Sequence, residues 1–192
     1  MSIEIRRLSP DLCEDWLTYF DGIAFGDHGE WALCYCLEGH MTRQENDGLK
    51  NPAARRDYAK QLIQDGKMQG YLAYADGKVV GWCNANDRSA YTYLDELYAY
   101  MNYKPDDKRT KVVFCFLVAS NYRGQGIAGA FLDRVCQDAK NDGYEQVEAY
   151  PLSDTNSEFQ YHGTLRMYEK NGFKKNADFQ FVNRVVKELG NY

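Results

Sequence analysis

The sequence predicts a mixed α/β domain whose sheet is largely antiparallel. Three observations predict it. Short apolar runs recur between turn residues, and two of them, residues 70–75 and 79–83, flank the hairpin dipeptide Asp76-Gly77. Residues 112–118 are apolar without a break, the pattern of a strand buried on both faces. A glycine-rich turn follows, then a stretch in which Ile127, Phe131, Leu132, Val135 and Ala139 keep helical spacing.

The other elements fall in order around this centre. Ile3, Ile5 and Leu8, separated by charges, predict a short first strand. Ser9-Pro10 opens a helix, because the N–H that proline lacks has no partner in a first turn anyway; Leu12, Trp16, Leu17 and Phe20 give that helix an apolar face. Residues 22–48, rich in glycine and aromatics, read as a loop or broken helix. Asn51-Pro52 starts a clearer helix that runs to Asp65, with Tyr58, Leu62 and Ile63 on one side, and Gly66 ends it. Residues 87–111 read as a polar, tyrosine-rich connection to the central strand. The helix over residues 126–141 stops at Asp142-Gly143. Residues 147–150 then read as a strand, residues 157–171 as a helix closed by Gly172, and residues 173–176 and 179–186 as a terminal hairpin. No internal repeat, low-complexity tract or linker divides the 192 residues, so a single domain over residues 1–192 is expected.

Composition narrows the function classes. With 23 basic and 28 acidic residues the net charge is −5, and no long basic run appears, which argues against nucleic acid as a partner. The mild acidity is compatible with a cationic substrate. The first eight residues alternate charged and apolar side chains and lack the apolar core of a signal peptide. No run approaches the roughly 18 apolar residues of a membrane span. A soluble, cytoplasmic protein without a membrane partner is expected, its six cysteines reduced.

Chemistry concentrates between Val118 and Ala128. A buried strand runs into a turn holding Gly124 and Gly126, and a helix begins there. Free N–H groups at a helix N-terminus, with the helix dipole behind them, form an anion site, and glycine lets a phosphate approach the backbone. Arg123 adds a charge. The segment lacks the Gly-Lys-Ser/Thr ending of a P-loop, and Gly124, Gly126 and Gly129 do not have dinucleotide-fingerprint spacing.

Arg123-x-x-Gly126-x-Ala128 after an apolar strand resembles the acetyl-CoA-binding motif of the GNAT superfamily of N-acetyltransferases. About forty residues downstream, Tyr168-Glu169-Lys170-Asn171-Gly172-Phe173 is similar to that family's Tyr-Glu-Lys-x-Gly-Phe signature, and the element order agrees across nearly the whole chain. The resemblance implies a splayed sheet of about six to seven strands flanked by about four helices. It implies acetyl-CoA as co-substrate, an amine acceptor, no metal and direct attack of the amine on the thioester. Leu117 and Val118 would pair with the pantetheine arm as a strand would, and Gly124, Gln125, Gly126, Ile127 and Ala128 would cradle the pyrophosphate. The Val118 N–H would stabilise the oxyanion, and Tyr168 would protonate the departing thiolate. Spacing alone, three residues from Leu165, favours Tyr168 as a packed helix residue; the acid role rests on the resemblance.

Two departures matter. Many family members carry an asparagine seven residues before the tyrosine; that position here is Tyr161, and Asn156, in an insertion over residues 151–157, is the candidate substitute. The general base is open: Glu96, with Asp95, lies in the connection before the central strand, where a solvated loop carboxylate is the plainer reading. Cys34-x-Cys36-x-x-x-His40, with Cys83 as the only further ligand in view, has unusual spacing for zinc; buried thiols fit it better, and no metal is expected. The aromatic stretch over residues 31–40 is expected to wall the acceptor, which points to an apolar or aromatic-bearing amine. Phe179, Phe181, Val182, Val185 and Val186 allow a homodimer through the terminal strands, although an internal hairpin explains them equally. A non-catalytic acyl-CoA sensor on the same fold is the alternative function.

Overall fold

A computed structural model describes residues 2–154 and 160–190. Seven strands form one open sheet: β1 (Ile3–Arg7), β2 (Gly70–Ala75), β3 (Lys78–Asp87), β4 (Thr110–Val118), β5 (Gln146–Ala149), β6 (Lys174–Asp178) and β7 (Asn183–Glu188), in the order β1-β2-β3-β4-β5-β7-β6. Every neighbouring pair is antiparallel except β4 and β5. β2, buried along its whole length, forms the expected hairpin with β3. Asp76 and Gly77 make the turn, both in the left-handed region.

Among the described residues there are six α-helices: α1 (Cys13–Thr18), α2 (Arg43–Gly48), α3 (Pro52–Gln64), α4 (Thr92–Tyr100), α5 (Ile127–Asn141) and α6 (Leu165–Lys170). Two apolar cores lie on the two faces of the sheet. One gathers Trp16 and Leu17 of α1, Leu62 and Ile63 of α3 and Leu94 and Tyr98 of α4. The other gathers Phe131, Leu132 and Val135 of α5 with Tyr168 of α6. The five α5 residues read as its apolar face are all buried.

Several expectations need correction. The connection over residues 87–111 contains α4, nine residues long. No side chain caps its N-terminus, and its tyrosines carry little helix signal. Tyr58 does not share the buried face of α3; it is 39% exposed, and Arg55 and Ala59 are buried there with Leu62 and Ile63. Of the helix expected over residues 157–171, residues 157–159 lie outside the described residues, Gln160–His162 form a single 3-10 turn, and the α-helix starts at Leu165. Gly163 sits at φ +75, which breaks a right-handed helix, and Thr164 caps the new start by accepting the Met167 N–H at 3.2 Å. The terminal strands pair inside the chain, β7 lying between β5 and β6.

The parallel register of β4 and β5 runs only from Thr110–Gln146 to Val113–Ala149. β4 continues to Val118 with β3 alone as strand partner. Beyond Val113 the sheet therefore splays, and the far half of β4 faces a wedge. A buried network holds the near end closed: Glu148 of β5 accepts from Arg184 Nε at 2.9 Å and Nη2 at 2.6 Å, from Tyr98 Oη at 3.0 Å and from Tyr150 Oη at 3.0 Å.

Candidate acyl-CoA cleft and acceptor cavity

The turn after β4 is built from Gly124 (φ +73) and Gly126 (φ +83), where a side chain would be strained and where an added Cβ would meet nothing within 4 Å. Gly126 caps α5 without any side-chain hydrogen bond. The first N–H groups of a fifteen-residue helix thus lie open, with its dipole behind them. They face a cleft of about 900 Å³ whose walls are Leu117 and Val118, the turn, and α6. From α6 come Arg166 and Lys170, both exposed, and from the residue that ends it, Asn171. An uncapped helix N-terminus opposite two cations suits a polyphosphate.

The residues expected here divide into three groups. Leu117, Val118, Arg123, Gly124, Gly126, Ile127 and Ala128 line the cleft together; Gln125 does not, and donates from Nε2 to the Asn121 carbonyl at 2.9 Å. Arg123 also lines it, but its guanidinium is engaged: Nη2 donates to Asp27 Oδ1 at 3.0 Å, Nη1 to Asp27 Oδ2, and Nε to the Val118 carbonyl at 2.9 Å. Arg123 therefore clasps the loop over residues 24–33 to the end of β4, and its charge holds the Asp27 carboxyl below the usual range. Asn156 lies outside the described residues.

Tyr168 is fully buried among Phe116 and Phe173, and its hydroxyl donates to the His162 carbonyl at 3.0 Å. Burial pushes its pKa well up, so the phenol keeps its proton. Tyr168 does not line the cleft; Gly163, which lies against its ring, and Met167 do. Glu96 lines neither this cleft nor the two cavities next to it. It accepts the Arg43 N–H at 3.4 Å and faces that residue's guanidinium at 3.8 Å, which ties α4 to the start of α2.

Two cavities adjoin the cleft. The first, of about 280 Å³, has an aromatic and aliphatic lining that includes Phe20, Phe25, Leu33 and Leu49. It shares Trp31, Phe116, Leu117 and Tyr161 with the cleft. The second, of about 330 Å³, lies between α4 and the segment around His162, and shares Glu38 and Tyr161 with the first. Tyr161 thus borders all three spaces, with its ring 5.7 Å from Trp31. His162 Nδ1 donates to the Phe114 carbonyl at 2.7 Å, in the part of β4 that β5 has left.

The stretch expected to wall the acceptor does so through Trp31, Cys34, Cys36 and Glu38. Its cysteines and His40 are held by protein donors and acceptors. Cys36 Sγ receives Trp82 Nε1 at 3.1 Å and Asn84 Nδ2 at 3.2 Å, and lies 3.0 Å from Cys115 Sγ. His40 Nδ1 donates to the Ala90 carbonyl at 3.2 Å, and Nε2 faces the Asn84 amide at 3.4 Å. Arg166, Lys170, Tyr161 and Glu38 are the residues that motif reading missed. The first two carry a spacing signal, since four positions apart on a helix share a face.

The family model for the acetyltransferase (GNAT) family matches residues 31–173. No curated protein sequence matches the chain. Among solved structures it is similar to a Drosophila melanogaster polyamine N-acetyltransferase that forms N-acetylagmatine, at 13% identity and a TM-score of 0.59, over 97% of this chain and 100% of that one. It is also similar to the PaiA N-acetyltransferase of Thermoplasma acidophilum in complex with coenzyme A, at 17% identity and a TM-score of 0.56, over 98% and 99%. A third likeness is to an acetyltransferase of the GNAT family from Desulfovibrio desulfuricans, at 16% identity and a TM-score of 0.57, over 98% and 100%. At such identities these structures speak for the fold. The family match spans well over half of the chain and contains the whole β4–α5 turn and α6, so the chain belongs to the acetyltransferase (GNAT) family.

Proposed function

We propose that this protein moves an acetyl group from acetyl-CoA to a primary amine of a small molecule or peptide, by direct attack of the amine on the thioester. The observation that carries the reading is the meeting of two spaces at Trp31, Phe116, Leu117 and Tyr161: a cleft suited to a polyphosphate and a mainly apolar cavity. Such a junction holds two reactants side by side, which removes much of the entropic barrier.

The parts take roles accordingly. N–H groups from Gly124 to Ala128, with Arg166 and Lys170, hold the phosphates. The edge of β4 at Leu117 and Val118, which no second strand covers, receives the amide-bearing arm, and the Val118 N–H faces the carbonyl oxygen as charge develops there. Tyr168, protonated, is assigned as the acid; to act, its hydroxyl exchanges the His162 carbonyl for the departing sulfur. Glu96, tied to Arg43, is left a structural part. The protein is assigned to the cytoplasm, with no nucleic-acid or membrane partner; a homodimer would use faces other than the paired edge of β7. A non-catalytic acyl-CoA binder is the second reading, favoured by the hydrogen bond that occupies the Tyr168 hydroxyl.

The test is calorimetric binding of acetyl-CoA to the wild type and to Gly126→Glu. Glutamate at φ +83 is strained and sets a carboxylate where the pyrophosphate belongs. Affinity is expected to fall by about 100-fold or more, while circular dichroism reports a folded variant. A folded wild type that binds neither acetyl-CoA nor longer acyl-CoAs overturns the reading and leaves an interaction role. Binding without turnover of any amine selects the sensor.

A further inference from the structure

Glu38 is the feature of the acceptor side that the reaction so far leaves without a role. It sits in a short turn (Glu38–His40) that follows two consecutive residues in the left-handed region, Tyr35 at φ 41 and Cys36 at φ 50. Gly39 lets the turn lie flush on the sheet, since a Cβ there would come within 2.8 Å of Tyr91 and 3.2 Å of Phe114. The result is that the Glu38 side chain lines both the aromatic cavity and the one beside it, next to Tyr161.

Glu38 is half-buried, and among the described residues no donor or cation is within hydrogen-bond or ion-pair reach of its carboxylate. The groups that act on it are Arg55 of α3, Cys34 and Cys36 of its own loop, and Tyr161. Arg55 brings positive charge nearby but does not pair with it. Its guanidinium is taken by carbonyls, with Nη2 donating to Cys34 at 3.2 Å, Nη1 to Leu49 at 3.0 Å and to Asn46 Oδ1 at 2.9 Å, and Nε to Leu33. Burial raises the Glu38 carboxyl, while Arg55 opposes the rise. A carboxylate set in an apolar wall without a partner is costly, and a cation arriving there relieves the cost. The other carboxylate of the same cavity, Glu30, is exposed and already held by His28 at 3.0 Å.

Resting on the acetyl-transfer reading above, we propose that Glu38 receives the ammonium group of the acceptor, and that the acceptor is a compact primary amine with an apolar or aromatic body. The body fills the 280 Å³ space among Phe20, Phe25, Trp31, Leu33, Leu49 and Phe116. The nitrogen lies at Glu38, beside the Leu117 and Tyr161 side of the cleft. One ammonium proton passes to the Glu38 carboxylate and on to solvent. The freed lone pair forms the C–N bond, the C–S bond breaks, and the second nitrogen proton ends on the coenzyme A sulfur. The balance is ammonium plus thioester giving amide, thiol and one proton.

The test uses the intact protein with coenzyme A present and four probes: 2-phenylethylamine, its uncharged counterpart 2-phenylethanol, putrescine and methylamine. By calorimetry, 2-phenylethylamine is expected to bind the wild type at least about tenfold more tightly than the other three, a margin set by one charge and one buried ring. Glu38→Gln keeps the shape and removes the charge. It is expected to weaken 2-phenylethylamine about tenfold, leave 2-phenylethanol unchanged, and cut kcat/KM by about 100-fold with the acetyl-CoA Kd unmoved. Glu38→Asp restores part of the loss. The alcohol binding as well as the amine, putrescine binding better, or Glu38→Gln acetylating the amine within twofold of wild type would each overturn the proposal. A wild type that binds 2-phenylethylamine in this way but turns over no amine supports the Glu38 site and sinks the transfer reading instead.

Discussion

The Tyr168 hydroxyl lies between two roles, and removing one oxygen separates them. It donates to the His162 carbonyl, which fixes the segment that carries Gly163 along the cleft wall. It also keeps its proton at neutral pH, because burial disfavours the phenolate. Tyr168→Phe leaves that carbonyl without its donor and costs about 1 kcal/mol of stability, read as a small fall in Tm. If the hydroxyl also protonates the leaving thiolate, kcat falls by about 100-fold or more with the acetyl-CoA Kd unchanged. A kcat within twofold of wild type assigns the oxygen to packing alone. Sequence spacing made both roles visible, the motif pointing to acid and the three-residue step from Leu165 to core. Glu38 could not be found that way. Its meaning lies in having no partner inside a cavity, and that depends on Arg55, Tyr161 and Phe116 arriving from distant parts of the chain.

Among the elements, the turn from β4 into α5 was legible because its chemistry is local. An unbroken apolar strand, glycines at the two left-handed positions and an amphipathic helix all lie within thirty residues. α4 was not legible, since nine residues with three tyrosines and no cap give no periodic signal that outweighs their polarity. α6 was read too long because periodicity continued through Gly163, whose φ of +75 ends any helix before it. Its true start matters to function, because it turns Arg166 and Lys170 toward the cleft that faces the α5 N-terminus. The double variant Arg166→Ala, Lys170→Ala is expected to weaken acetyl-CoA about tenfold at low ionic strength. Raising the salt toward 1 M should shrink the difference between variant and wild type, because exposed charges are screened within about 3 Å there. A difference that does not change with salt would assign the loss to altered packing of α6.

Across the whole molecule, the sheet order follows from burial pattern and turn chemistry. Its splay is set by where β5 stops at Ala149 while β4 runs on to Val118. The assembled fold also buries polar groups that only it can satisfy, His40 and His162 among them. His40, held by Ala90 and Asn84, has its pKa pushed down to about 4 by burial. His162, on the Phe114 carbonyl, is also lowered by burial. In the unfolded chain both titrate near about 6.5. The folded state therefore binds fewer protons than the unfolded state below that pH. The stability these residues contribute is whole above about pH 6.5 and is lost as pH falls toward 4. Glu38, raised by burial, acts in the opposite direction within the same window, so the net slope is smaller than the two histidines alone would give. His40→Gln isolates one contribution: the amide can still donate to the Ala90 carbonyl and accept from Asn84, but it does not titrate. Between pH 6.5 and 4 the wild-type Tm is expected to drop more steeply than that of the variant, and the two curves should run parallel above pH 7. Parallel curves through the whole range would mean that His40 is solvated enough to charge in place, and that the loop carrying Glu38 opens in acid without unfolding the sheet.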